Sequence, residues 1–264
     1  MQENPFNKPL TSQWLESTEG REISKSLQIT PINPQSDLFW TSWHQDVANY
    51  FLDPEVDGYI DFSAQLNVNK GFKKYEKIKN HGSNYTFFGF ILWHLIQTLK
   101  RPEKEFKAYH FRKIDDKWFI INNPAIVVPV SLPDRSTLRE AVICDAYQIK
   151  TLPQWMEVYS HAVETARLGK VQTMPPSIFS LSNIVGNLPG IPFDGMALHR
   201  FPKAFMGIIF AYFGARYFPG ERFFGNTQEK GPLHIPFSIK FPHATLNPMD
   251  VQFILQEFLA SLND

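Results

Sequence analysis

The chain has 264 residues, 43% of them apolar, which suits one large domain or two small ones with a full core and excludes a disordered chain. Lys plus Arg and Asp plus Glu each number 26, so the formal net charge is zero and lends no support to nucleic-acid or anionic-membrane binding. The single cysteine, Cys144, excludes an internal disulfide and a Cys-rich zinc site and is compatible with a reducing compartment.

The N-terminus, Met1-Gln2-Glu3-Asn4-Pro5, lacks a basic-then-apolar leader pattern, and no apolar run reaches the roughly 18–20 residues of a membrane span. The expectation is a soluble cytoplasmic protein with no membrane partner. Residues 1–37 are polar and carry Pro5, Pro9, Pro31 and Pro34, as an N-terminal arm over the surface of a domain spanning 38–264 would. Residues 38–52 have helical apolar spacing (Leu38, Phe39, Trp40, Trp43, Val47, Tyr50, Phe51), and Asp53-Pro54 ends that helix. Residues 59–68 alternate as a strand, and 70–80, with five lysines, read as a solvated face. The segment 85–99 is apolar nearly all round, the pattern of a helix buried against a sheet.

Two short strands follow, 108–114 and 118–121, with Asp115-Asp116-Lys117 as the hairpin turn between them. Residues 127–131, 178–182, 208–212 and 233–241 complete the strands, and 152–168 is a second long helix. The last helix is read over 250–262 from Val251, Phe253, Ile254, Phe258, Leu259 and Leu262. Helices and strands mix without a regular βαβ alternation, so the fold class is α+β: a two-layer arrangement of a mixed β-sheet packed with helices.

Few residues declare a chemistry. Phe is abundant, at 24 residues, which builds either a bulky core or an aromatic-walled pocket. Eight histidines (His44, His81, His94, His110, His161, His199, His234, His243) contain no pair at helical zinc spacing and no His-Glu-x-x-His, so no metal is expected. His94 reads as a hydrogen-bonded core residue and His199 as a loop residue. The loops 186–190 and 220–225 lack phosphate-loop spacing, Asp194-Gly195 reads as a turn, and neither Ser131 nor Ser182 has a nucleophile-elbow context. His243 stands apart. It ends an apolar strand and precedes a short turn into the last helix, a place that fixes the ring and leaves one face open. On this pattern alone both a structural role and a general-base role are open to it.

The order of these elements, with three local stretches, resembles chloramphenicol acetyltransferase and the acyltransferases that share its fold, over roughly residues 38–262. The family reads Pro-Leu-Ser-Val-Gln-Val-His-His-Ala-Val-Cys-Asp-Gly before its last helix. Here the run is Pro236-Phe237-Ser238-Ile239-Lys240-Phe241-Pro242-His243-Ala244-Thr245-Leu246-Asn247-Pro248. The resemblance implies that His243 is the catalytic base. The helix running from Tyr85-Thr86-Phe87-Phe88 to Arg101-Pro102-Glu103, with the hairpin after it, matches the family's long buried helix, and Phe179-Ser180-Leu181-Ser182 puts Ser182 in the place of the oxyanion donor.

The implied reaction moves an acetyl or other acyl group from acyl-CoA, acetyl-CoA in the first place, to a hydroxyl or amine of a small apolar molecule. Imidazole suits this because it takes and returns a proton near neutral pH, and a hydrogen bond to its other nitrogen holds one tautomer. Loss of one oxyanion donor costs about 100- to 1000-fold in rate. The resemblance also implies a homotrimer with each site between subunits, and Tyr59, Phe62 and Phe210 as substrate-lining residues. The chain departs from the pattern where Asn247 and Pro248 replace the family's Asp-Gly, where Pro242 replaces the first histidine, and where Trp40-Thr41-Ser42-Trp43-His44 lacks the arginine that pairs with that aspartate. Phe210 falls where the family has a threonine, which makes the site more apolar and points away from chloramphenicol as acceptor. The Asn247-Pro248 change keeps a second reading open: an inactive or repurposed member of the fold that binds a small apolar ligand or a protein partner. A lipoyl-type acyltransferase core is the weaker third, since no lipoyl module or long flexible linker is visible in the sequence.

Overall fold

The computed structural model describes residues 11–33, 59–82, 85–115, 117–131, 138–170, 178–182, 209–212, 216–219, 230–243 and 245–264. The expected helix at 38–52, the Trp40–His44 region, the loops 186–190 and 220–225, Asp194-Gly195 and His199 lie outside these residues.

Strand β10 (Lys230–Pro242) organises the molecule. Its alternate residues Leu233, Ile235, Phe237, Ile239 and Phe241 are all buried, the period-2 pattern of a strand with one face on a core. β10 pairs antiparallel with β2 (Tyr59–Asn67) from His234 to Pro242 and with β8 (Ile209–Tyr212) on its other side. Beyond β8 come β7 (Ile178–Ser182), β5 (Ala125–Ser131) and β6 (Leu138–Ile143), in the order β2-β10-β8-β7-β5-β6, while β9 (Arg216–Pro219) pairs with the start of β10. The β5–β7 and β7–β8 pairs are parallel and the others antiparallel, giving a mixed seven-stranded sheet.

Helices pack on the face that β10 buries. Helix α4 (Phe87–Leu99) starts at Thr86, whose hydroxyl accepts from Gly89 N, and buries residues from Phe88 to Leu99 on nearly every side. Helix α6 (Leu152–Arg167) is capped by Thr151 and donates from Trp155 Nε1 to the Gly89 carbonyl at 2.8 Å. The last helix, α7 (Pro248–Asn263), folds back along β10, with Val251, Ile254, Leu255, Phe258 and Leu262 buried and the rings of Phe237 and Phe258 6.2 Å apart. The α+β class with a mixed sheet under helices is therefore the architecture of this chain.

Several local expectations change. The lysine-rich stretch is a helix, α3 (Asn69–Ile78), docked by Gly71 on Leu262. The strand expected from 108 begins at Phe111, because Lys104–Ala108 closes into a short helix, α5, that buries Phe106. Its hairpin, β3 (Phe111–Ile114) with β4 (Lys117–Ile121), belongs to a second, three-stranded sheet completed by β1 (Ile29–Pro31). The N-terminal residues before β1 fold as α1 (Ser12–Glu16) and α2 (Thr18–Leu27), and Leu27 packs with Ile121, Ala125 and Val127 in a core of its own.

Candidate active site

β10 ends at Pro242, and His243 is the first residue of the turn into α7. The turn is anchored by Thr245 and Leu246, both fully buried, whereas the His243 side chain is half-buried. Its Nδ1 lies 3.1 Å from the carbonyl oxygen of Leu246. A carbonyl only accepts, so Nδ1 donates, and the neutral ring carries its lone pair on Nε2.

The Asn247-Pro248 pair starts the helix. Asn247 has φ −97° and ψ 163°, the extended conformation imposed by a following proline, and its side chain accepts from Asp250 N at 2.9 Å. Asp250 returns a hydrogen bond, its Oδ2 accepting from Asn247 N at 3.2 Å. Pro248 sits in the first helical turn, where its missing N–H costs nothing. The pair that departs from the Asp-Gly pattern is thus an N-cap and a helix-compatible proline. Burial pushes the Asp250 carboxyl above the usual range, against the pull of the hydrogen bond from Asn247. Asp250 is the residue that sequence reading missed. The signal for it is the Asn-x-x-Asp spacing before an apolar run, a capping-box pattern.

The remaining candidates divide by strand register. Tyr59 pairs with Pro242, so β2 begins beside the residue that precedes His243. Phe62 pairs with Ile239 and packs, partly buried, against the main core. Phe210 pairs with Leu181 on one side and Ile239 on the other, which places Phe62, Ile239, Phe210 and Leu181 in one row across four strands. Ser182 ends β7 opposite Ala211, and Ala211 is opposite Ser238. Ser238 lies five residues before His243, roughly 16 Å along the strand, and Ser182 lies two strands away, about 10 Å across. Within one chain the Cα atoms of Ser182 and His243 are thus roughly 19 Å apart, more than their two side chains span.

Other histidines are engaged elsewhere. His94 Nδ1 is 2.9 Å from Ser261 Oγ, and His110 Nε2 is 3.1 Å from both the Leu99 carbonyl and the Tyr147 hydroxyl. Among the described residues no group of three or more His, Cys, Asp or Glu side chains could hold a metal ion, and no helix is long and apolar enough to cross a membrane.

No protein-family profile matches the sequence, and no curated protein matches it. Solved structures do. The dihydrolipoamide acetyltransferase of Azotobacter vinelandii superposes with a TM-score of 0.59 at 18% identity, covering 78% of this chain and 82% of that one. That structure addresses the role of a serine, a histidine and an asparagine in its catalytic mechanism. A probable dihydrolipoamide acetyltransferase from Listeria monocytogenes matches at 0.59 and 16% identity over 88% of this chain and 93% of that one. A chloramphenicol acetyltransferase matches at 0.59 and 8% identity over 89% and 99%. The chain has the fold that these acetyltransferases share, with a sequence far diverged from each.

Proposed function

We propose that this protein is an acyltransferase that moves an acetyl or other acyl group from acyl-CoA to a hydroxyl or amine of a small apolar molecule, with His243 as general base. The observation that carries the reading is the Nδ1–H bond from His243 to the Leu246 carbonyl, which leaves Nε2 as the ring's proton acceptor at the end of β10. The Azotobacter enzyme supports it by pattern: its histidine and asparagine are four residues apart, as His243 and Asn247 are here.

The acceptor oxygen or nitrogen attacks the thioester carbonyl while its proton passes to Nε2. The carbonyl π electrons move to oxygen, and the Ser182 hydroxyl donates to that oxyanion. Collapse re-forms the C=O bond and breaks the C–S bond, and the proton on Nε2 goes to the departing CoA sulfur. Loss of an oxyanion donor such as Ser182 lowers the rate about 100- to 1000-fold.

A separation of roughly 19 Å between Ser182 and His243 keeps them from one centre in a single chain. We therefore assign the pair to two copies, with Ser182 of one subunit facing His243 of a neighbour in a homotrimer. We assign Tyr59, which pairs with Pro242 in the register, and Phe62 and Phe210, which both pair with Ile239, to the substrate-binding residues, the phenylalanines making the site apolar.

The test is release of free CoA thiol from acetyl-CoA over a panel of small alcohols and amines, wild type beside His243→Ala. Turnover lost in the variant is the expected result; no turnover with any acceptor, with no CoA binding by calorimetry, overturns the reading. Co-refolding inactive His243→Ala with inactive Ser182→Ala tests the shared site. Mixed oligomers regain activity if the two residues meet between subunits, and stay inactive if they do not.

A further inference from the structure

The two hydrogen bonds around Asn247 share one peptide group. His243 Nδ1 donates to the oxygen of the Leu246 carbonyl at 3.1 Å, and the nitrogen of the same peptide unit, Asn247 N, donates to Asp250 Oδ2 at 3.2 Å. The unit is planar and rigid, so a carboxylate holding its N–H also sets the direction in which its C=O points. A charged acceptor on the N–H polarises the amide and makes the carbonyl oxygen a stronger acceptor for the ring. The pieces are fixed from outside as well. Leu246 is fully buried, Pro248 locks the backbone after Asn247, and the Asn247 side chain ties Asp250 N at 2.9 Å.

We propose that Asp250 is a positioning residue for His243, acting through the 246–247 peptide as a carboxylate–peptide–histidine relay that holds the Nδ1–H tautomer. The inference rests on the reading of His243 as the base for its kinetic consequence, and on geometry alone for the tautomer. Asp250 touches no substrate. In a serine-protease triad the carboxylate meets the imidazole directly, and its loss, which leaves the wrong tautomer, costs about 10,000-fold in kcat. Here a peptide stands between the two groups, so the expected loss is smaller, on the order of tenfold.

The experiment reads the ring directly. Protein labelled with ¹⁵N-histidine is examined by long-range ¹H–¹⁵N correlation near neutral pH, where protonated and bare ring nitrogens differ by tens of ppm. In wild type the His243 signals show a protonated Nδ1 and a bare Nε2. In Asp250→Ala they move towards a mixture of the two tautomers, kcat falls about tenfold with KM for acetyl-CoA changed less than twofold, and Asp250→Glu restores part of both. Asp250→Asn, which keeps an acceptor oxygen without the charge, gives an intermediate shift and maintains folding if the alanine variant unfolds. Asn263→Ala, at the far end of the same helix, loosens α7 where Asn263 bonds Gly71 N and the Asn67 carbonyl, and leaves the His243 signals in place. His243 signals that stay fixed in folded Asp250→Ala and Asp250→Asn overturn the relay, whatever the activity. A moved tautomer in a protein with no transferase activity sinks the proposed reaction and leaves the relay standing.

Discussion

His94 on α4 and Ser261 on α7 join those helices through a 2.9 Å contact, imidazole Nδ1 to hydroxyl Oγ. Burial, and then the charge of Lys74 on α3, lower the His94 pKa from 6.5 to about 4, against a smaller upward pull from Ser261. The folded protein therefore holds this ring neutral, while the unfolded chain takes up a proton below pH 6.5. Stability contributed by His94 is full above pH 6.5 and is lost as pH falls from 6.5 towards 4, up to about 3 kcal/mol. Urea unfolding at pH 7.5 and pH 5, wild type beside His94→Leu, checks this. The variant is expected to lose much of the wild type's decline, and equal declines in both would place the sensitivity elsewhere.

Gly71 gives a second expectation, in which two effects oppose. It lies in α3, and alanine in place of glycine in a helix gains about 1 kcal/mol. A methyl there, however, meets Leu262 Cγ at 2.7 Å and the Leu262 carbonyl oxygen at 2.9 Å. The side chain can move but the carbonyl belongs to the backbone of α7, and overpacking of this kind costs about 1–3 kcal/mol. Gly71→Ala is expected to lower the urea midpoint in spite of its helix propensity. A raised midpoint would show that α3 slides freely on α7.

The α4–α6 contact turns on Trp155, which is fully buried and donates to the Gly89 carbonyl at 2.8 Å while its ring lies 5.9 Å from Tyr159. Trp155→Phe removes the donor and part of the ring volume together. The expected cost is about 2–3 kcal/mol from the lost hydrogen bond and the cavity. The effect is read as a fall in thermal midpoint, with the far-ultraviolet spectrum unchanged. A midpoint within 1 °C of wild type would mean that α6 repacks without the indole.

How much of this was legible in the sequence depends on how each element earns its burial. β10 was readable because Leu233, Ile235, Phe237, Ile239 and Phe241 alternate, and α4 because Phe88 through Leu99 are apolar on almost every side. α3 was not, since its exposed lysines outweigh an inner side carried by Gly71, Phe72 and Tyr75. β6 also escaped: among the described residues it pairs with β5 alone, and it begins Leu-Arg-Glu. His243 could be picked out by its place at a strand end. The support beneath it could not, because a bond to a backbone carbonyl leaves no mark in the residue pattern, and the Asn-x-x-Asp spacing marks Asp250 as a helix cap without linking it to His243. The distance between Ser182 and His243 needed the strand order β10-β8-β7, which no single segment encodes.

Asn123 yields the last expectation, because it ties the N-terminal segment to the body. Its buried amide nitrogen donates to the Ser26 carbonyl at 2.8 Å and to Asp145 Oδ1 at 2.6 Å, and its backbone N–H donates to the Leu27 carbonyl at 3.0 Å. Beside it, Asn122 Nδ2 bonds the Gln28 carbonyl and Thr30 Oγ1. Leu27 then fills the small core with Ile121, Ala125 and Val127. Asn123→Ala removes both side-chain bonds and leaves the backbone bond, a loss of about 1–3 kcal/mol. That loss falls on α2 and β1, which open locally before the main core does. Trypsin cleavage after Arg21 and Lys25 is therefore expected to speed up about tenfold or more, while cleavage after Lys73 and Lys74 in α3 and after Lys240 in β10 stays near the wild-type rate. Uniform acceleration at all sites would instead make Asn123 a member of the global core, and α2 could then not be released on its own.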